Sequence, residues 1–238
     1  VLGPLILVCV LILPNNFSTA ALVFINGLVL MFVGKIRIKF IAAIIGFAFV
    51  GALTIYATAK FTPLGTKIMP RSATWVSRID SFFVDADGDE QTKDFQQTQA
   101  LVAIQNGGMT GVGPGKSTQR NILPYSSSDF IYAIIIEEYG LFGGVLALLF
   151  YLILMFRAIR IALRVESVFG SLLATGLMFS LVFQALINML VSVEVLPVTG
   201  QTLPLISMGG TSIVFSCIAI GIVLSVSRDA TDRKYEKA

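Results

Sequence analysis

A run of acidic residues, Asp80, Asp85, Asp87, Asp89, Glu90 and Asp94, stands in the sequence near five cations, Arg71, Arg78, Lys93, Lys116 and Arg120. A carboxylate can take the proton from a sugar hydroxyl, and arginine or lysine can neutralise a departing diphosphate. Transfer of a sugar from a diphosphate donor needs both functions close together, and spacing alone does not show that they meet. A solvated acidic loop is the plainer reading of the same residues. The chain has no histidine, which removes the commonest general base and most zinc chemistry.

Three familiar motifs are approached and missed. Gly115-Lys116-Ser117 resembles the end of a phosphate-binding P-loop, but the first glycine of that pattern would fall on Thr110. Gly111-Val112-Gly113 opens like a dinucleotide fingerprint, whose last glycine position holds Lys116. Asp85-Ala86-Asp87-Gly88-Asp89 opens like a calcium loop, yet the sixth position is Glu90 and the twelfth is Gln96. An EF-hand is excluded. Loose binding of a divalent cation, magnesium or manganese, stays open, and no other cofactor is implied.

Polar residues inside apolar runs are the next candidates. Glu137 and Glu138 lie near one end of such a run, where carboxylates are costly unless paired or wet, so an ion pair is expected. Gly176, Ser180, Gln184 and Asn188 recur every four residues, which suggests one helix face. Helix packing is the main reading of that face, and a substrate-lined groove is the sharper one. Asn15 and Asn16 read as turn residues after Pro14. Cys9 and Cys217 have no metal-ligand spacing and read as buried packing residues.

The elements that must position these groups follow from composition. Of 238 residues, 55% are hydrophobic and 13% charged, against about a quarter charged in a soluble domain. That balance predicts an all-α, polytopic membrane protein. A net charge of +3 gives no argument for nucleic acid. Runs long enough for spans of about 20 residues predict six helices: 1–13, 17–34, 38–58, 131–156, 169–191 and 203–226. The first is short, as if cut. Because the chain opens at Val1 without an initiator methionine or a cleavable signal pattern, it is expected to be part of a longer protein. Residues 1–238 read as a single membrane domain holding one long loop, 60–129.

Lys35, Arg37 and Lys39, then Arg157, Arg160 and Arg164, then Arg228, Arg233, Lys234 and Lys237 all fall on one face of a six-span chain. The positive-inside rule assigns that face, and the C-terminus, to the cytoplasm. The long loop carries seven basic residues, but long loops cross largely regardless of charge, so it is expected outside. No ATP is available there, and a synthetic reaction would need a substrate that arrives already activated.

Two long segments carry a family resemblance. The first runs Gly111-Val112-Gly113-Pro114-Gly115-Lys116-Ser117-Thr118-Gln119, through Leu123-Pro124 and Ser128-Asp129-Phe130-Ile131-Tyr132-Ala133, to Glu137-Glu138-Tyr139-Gly140. The second is Leu196-Pro197-Val198-Thr199-Gly200, followed by Leu203-Pro204-Leu205-Ile206-Ser207-Met208-Gly209-Gly210-Thr211-Ser212. Both are similar to signatures of the SEDS family (FtsW/RodA/SpoVE). Pro14-Asn15-Asn16-Phe17-Ser18-Thr19-Ala20 is a weaker match to a third. The wording Leu-Pro-Leu-Ile-Ser leans toward the division type of the family rather than the elongation type.

The resemblance implies a protein of about ten spans, with roughly four N-terminal helices beyond this chain. It implies a peptidoglycan glycosyltransferase that polymerises lipid II during septal synthesis in the bacterial inner membrane. A class B penicillin-binding protein would be its transpeptidase partner, alongside other divisome membrane proteins. The family's essential aspartate precedes a Tyr-Gln-x-x-Gln-like segment, here Phe95-Gln96-Gln97-Thr98-Gln99. Ungapped spacing lands on Asp89. Asp87 and Asp85 stay open, because Asp89 is followed by Glu90 where the family has proline. Substrate contacts are expected from Arg71, Arg78, Lys116, Gln119, Arg120, Asp129, Glu137, Glu138, Gln184, Asn188 and Ser207. Ser127 stands where a histidine is common, so no step should depend on it. A flippase would need ionisable residues on several helices near the midplane, which are few here. A non-catalytic scaffold would tolerate changes in the loop.

Overall fold

The computed structural model describes residues 2–61, 74–76, 95–123 and 126–236. Their regular elements are all helical: α1 (Leu2–Ile12), α2 (Phe17–Val33), α3 (Ile38–Phe61), α4 (Phe95–Gly107), α5 (Ile131–Arg164), α6 (Val168–Ser192) and α7 (Gly210–Glu236), with one 3-10 turn at Gln119–Asn121. The spans 38–60, 131–164, 168–192 and 210–228 are long and apolar enough to cross a membrane, and α1 and α2 are shorter apolar helices. The chain is a polytopic, all-α membrane protein. It falls into two compact units, residues 1–93 and 94–238.

In the first unit α1 packs against α2 through small residues. A Cβ at Gly27 would stand 2.5 Å from the Leu5 side chain, and the Cys9 thiol donates to the Ala20 carbonyl at 3.7 Å. Asn16 is the N-cap of α2: its side chain accepts from the Thr19 amide at 3.1 Å, which satisfies a donor that the first turn cannot. α3 leaves Phe40, Phe47 and Phe49 exposed, the surface expected of a helix that faces lipid or other helices.

The second unit holds the packed core. α5 and α6 form an antiparallel pair joined through Ser167, whose hydroxyl accepts from the Gly170 amide as the N-cap of α6. Tyr132, Ile136 and Tyr151 of α5 pack with Leu181, Val182, Ala185 and Met189 of α6 and with Leu203. Ala158, Ala174 and Met178 meet Val223 of α7 toward the other end. Ala100 and Ala103 let α4 come close to Phe130, Ala133 and Ile134.

The spans follow the apolar runs, but α5 and α7 run on past the expected ends, to Arg164 and Glu236, and the structure differs from the sequence reading elsewhere. The last helix begins at Gly210 rather than Leu203, because 196–209 is irregular backbone. Residues 95–107 are helical within the stretch read as loop. Cys217 is exposed, not buried, and Cys9 is only half-buried.

Candidate functional site

The site is built on a break in α5. Gly140 has φ 70° and ψ −173°, a region open in practice to glycine alone. There the helical ladder exchanges partners. The Leu141 amide, which would bond back to Glu137, instead donates to the Gly108 carbonyl at 2.9 Å. The carbonyls released on Glu137 and Glu138 accept from the Val112 and Gly113 amides at 2.9 and 3.0 Å. Backbone meets backbone so closely that a Cβ on Gly140 would lie 2.2 Å from the Met109 carbonyl oxygen. One on Gly111 would lie 2.3 Å from that of Glu138. The glycine run is thus a strap paired to a kinked helix, unrelated to nucleotide loops.

Beneath the strap lies Glu137, 1% exposed. Its carboxylate accepts from the Ser117 hydroxyl, from the Thr118 amide at 3.2 Å and hydroxyl at 2.9 Å, and from the Gln119 amide at 3.4 Å. The Arg120 amide closes the turn on the Ser117 hydroxyl at 3.0 Å. All of these donors are neutral, so the expected ion pair is replaced by a hydrogen-bonded anchor. A carboxylate this deep is tolerable because its lone pairs are filled. Lys116 and Arg120, flanking the anchored turn, are exposed, and no carboxylate among the described residues pairs with either. An anion could therefore approach both.

The second irregular segment, 196–209, is tied down by the polar residues of α6. The Asn188 amide, 1% exposed, donates to the Asp129 carbonyl at 2.6 Å and to the Gln201 carbonyl at 2.7 Å. Gln184 donates to the Thr202 carbonyl at 3.0 Å. Ser207 donates to the Ser128 carbonyl at 2.5 Å and accepts from the Leu203 amide at 2.7 Å. The Tyr151 hydroxyl of α5 donates to the Pro204 carbonyl. Irregular backbone amid apolar helices needs such internal partners.

Several residues expected to contact substrate have partners within the protein. Glu137, Asn188 and Ser207 are buried and engaged by protein groups, and Gln184 is half-buried on Thr202. Gln119 is buried, and neither its Oε1 nor Asn188 Oδ1 has a donor among the described residues. Asp129 and Glu138 are half-buried, and neither carboxylate has a partner among the described residues. The four-residue spacing on α6 does not give one buried face: Gly176 and Asn188 are buried, but Ser180 is exposed. Steps of four residues overshoot the helical turn by 0.4 residue each and drift around the axis. Asp85, Asp87, Asp89, Arg71 and Arg78 lie outside the described residues. Among those described, no three acidic or cysteine side chains form a metal-holding group. Ser117, Thr118, Tyr151 and Thr202 join the site without having been expected there from sequence. The short Ser-Thr pair ahead of Gln119 is the signal for a turn fastened by side chains.

Comparison with known proteins agrees with this architecture. The profile of the cell cycle protein family (FtsW/RodA/SpoVE) matches residues 1–232. The stage V sporulation protein E of Bacillus subtilis (strain 168) is 44% identical over 135 residues, covering 56% of this chain and 37% of that protein. A probable peptidoglycan glycosyltransferase FtsW of Nitrosococcus halophilus (strain Nc4) is 33% identical over 220 residues, covering 91% of this chain and 53% of that one. A solved chain described under "structural coordination of polymerization and crosslinking by a peptidoglycan synthase complex" superposes with a TM-score of 0.67 at 25% identity. That match covers 92% of this chain and 58% of the other. The chain spans about half the length, or less, of the curated relatives it matches. The chain belongs to the FtsW/RodA/SpoVE family of cell cycle proteins.

Proposed function

We propose that the protein is a peptidoglycan glycosyltransferase that polymerises lipid II on the outer face of the bacterial inner membrane, at the division septum. The observation that carries this reading is the family match along residues 1–232, joined by a relative named as a probable peptidoglycan glycosyltransferase that shares 33% identity over 91% of the chain. Lys116 and Arg120, exposed on an anchored turn and without a carboxylate partner among the described residues, support it, since they fit the anionic part of a diphosphate donor. A loop carboxylate, Asp89 first and then Asp87 or Asp85, takes the proton from the acceptor's sugar hydroxyl. The electron pair left on that oxygen attacks the anomeric carbon of the donor, the bond to the diphosphate breaks, and the lipid diphosphate leaves with that bond's electrons. Direct displacement inverts the anomeric centre. Lys116 and Arg120, with Arg71 and Arg78 from the loop, offset charge on the leaving group. A class B penicillin-binding protein would cross-link the product, in keeping with the coordinated polymerization and crosslinking of the matched synthase complex. The C-terminus would lie in the cytoplasm.

The test is lipid II polymerisation by the full-length protein with its transpeptidase, the latter's active serine disabled, beside Asp89→Ala. Glycan from wild type and none from a folded variant is the expected result. Glycan from both moves the base to Asp87 or Asp85. Tolerance of alanine at all three sinks the loop-carboxylate mechanism, and absence of glycan from wild type sinks the polymerase reading.

A further inference from the structure

We infer that Glu137 is a positioning residue for the anion-facing turn: its backbone and side chain together hold both ends of the segment that carries Lys116. The inference rests on the polymerase reading and adds to it a residue that touches no substrate. At one end, the Glu137 carbonyl accepts from the Val112 amide at 2.9 Å. At the other, its carboxylate gathers the Ser117 hydroxyl, the Thr118 hydroxyl and amide and the Gln119 amide. Residues 113–116 therefore form a short loop with both feet on one buried residue. The Lys116 amide closes it internally on the Gly113 carbonyl at 3.2 Å, and the Lys116 side chain lies over Gly113.

The chemistry of this anchor matters as much as its geometry. A Glu–Lys or Glu–Arg pair would fix the turn equally well but would consume a cation. By using hydroxyls and amides, Glu137 fixes the turn and leaves Lys116 and Arg120 to meet an oxyanion. Removing its carboxylate would leave the turn's donors unpaired, so the turn would shift and carry the cations out of register. The effect should fall on donor binding, not on the bond-making step. Shape and hydrogen bonding are what the turn needs, so glutamine should serve in part.

The test uses the full-length protein with its transpeptidase and follows initial polymerisation rates against lipid II concentration. Glu137→Ala should raise KM by roughly tenfold, the loss expected for hydrogen bonds to a charged group, with kcat within about twofold of wild type. Glu137→Gln should recover much of that loss. The pair Ser117→Ala and Thr118→Val should reproduce it, and adding Glu137→Gln to that pair should change little further. Amide hydrogen exchange at 118–120 should quicken in Glu137→Ala, a readout independent of turnover. Should Glu137→Ala fail to fold, the Ser117/Thr118 pair and Glu137→Gln decide the matter. A loss in kcat at unchanged KM, equal in Gln and Ala variants, would make Glu137 a charge acting on the reaction and overturn the inference. Additive effects would overturn it too. Wild type making no glycan would strike the polymerase reading itself, and this inference would fall with it.

Discussion

The second unit contains two irregular segments, and they are fastened in different ways. Residues 107–121 are held by backbone pairing to the α5 break and by one buried carboxylate. Residues 196–209 are held by neutral side chains, Asn188, Gln184, Tyr151 and Ser207. The first arrangement ends in two exposed cations. The second turns its polar groups inward, onto carbonyls that would otherwise be stranded among apolar helices. A polar residue within an apolar helix can therefore be an anchor as readily as a ligand. What separates the two roles is whether the protein itself fills its hydrogen-bonding capacity.

Substitutions can break this comparison, starting with the glycine contact. Gly140→Ala places a methyl group against the Met109 carbonyl at 2.2 Å in a backbone conformation disfavoured for alanine. A loss of about 3 kcal/mol is expected, seen as a sharp drop in the thermal unfolding midpoint in detergent. Asn188→Ala removes the bonds to the Asp129 and Gln201 carbonyls and should cost about 2 kcal/mol. Residual glycan synthesis should then track the folded fraction, with KM unchanged. A KM shift in that variant would give 196–209 a direct part in substrate binding and blur the contrast between the segments. Tyr151→Phe removes only the bond to the Pro204 carbonyl and should cost about 1 kcal/mol, read from the same melting curves. Lys116→Ala should leave stability within about 0.5 kcal/mol, as exposed positions usually do, while weakening retention of lipid II. A large stability loss there would mean that Lys116 is also an anchor.

Much of the fold is legible because hydropathy reports it directly. The apolar runs beginning near Phe17, Ile38, Ile131 and Phe169 are helices that start within a residue or two of those positions. The start of α7 is not legible. Leu203, Leu205 and Ile206 are as apolar as any span, yet Leu205 has φ 70° and the segment makes a single turn, Ser207 to Leu203, closed by side-chain bonds rather than continued as a helix. Hydropathy measures transfer out of water and does not distinguish a helix from a buried irregular segment. α4 is hidden for the opposite reason: its glutamines mask the small residues Ala100 and Ala103, which carry its packing. The site is partly legible. Lys116 and Arg120, candidates from residue type alone, are exposed, and the cost of Glu137 at depth follows from its place in an apolar run. That its partners are Ser117 and Thr118, some twenty residues earlier, depends on the exchange at Gly140, which no local pattern announces.

Whether Lys116 and Arg120 hold the diphosphate is decided by lipid II polymerisation by the full-length protein with its serine-disabled transpeptidase, comparing wild type with Lys116→Ala/Arg120→Ala. Wild type should make glycan, and the variant should show a KM raised by roughly tenfold or more at an unchanged unfolding midpoint. Polymerisation by the variant at the wild-type KM would contradict that role, and the diphosphate would have to be held elsewhere.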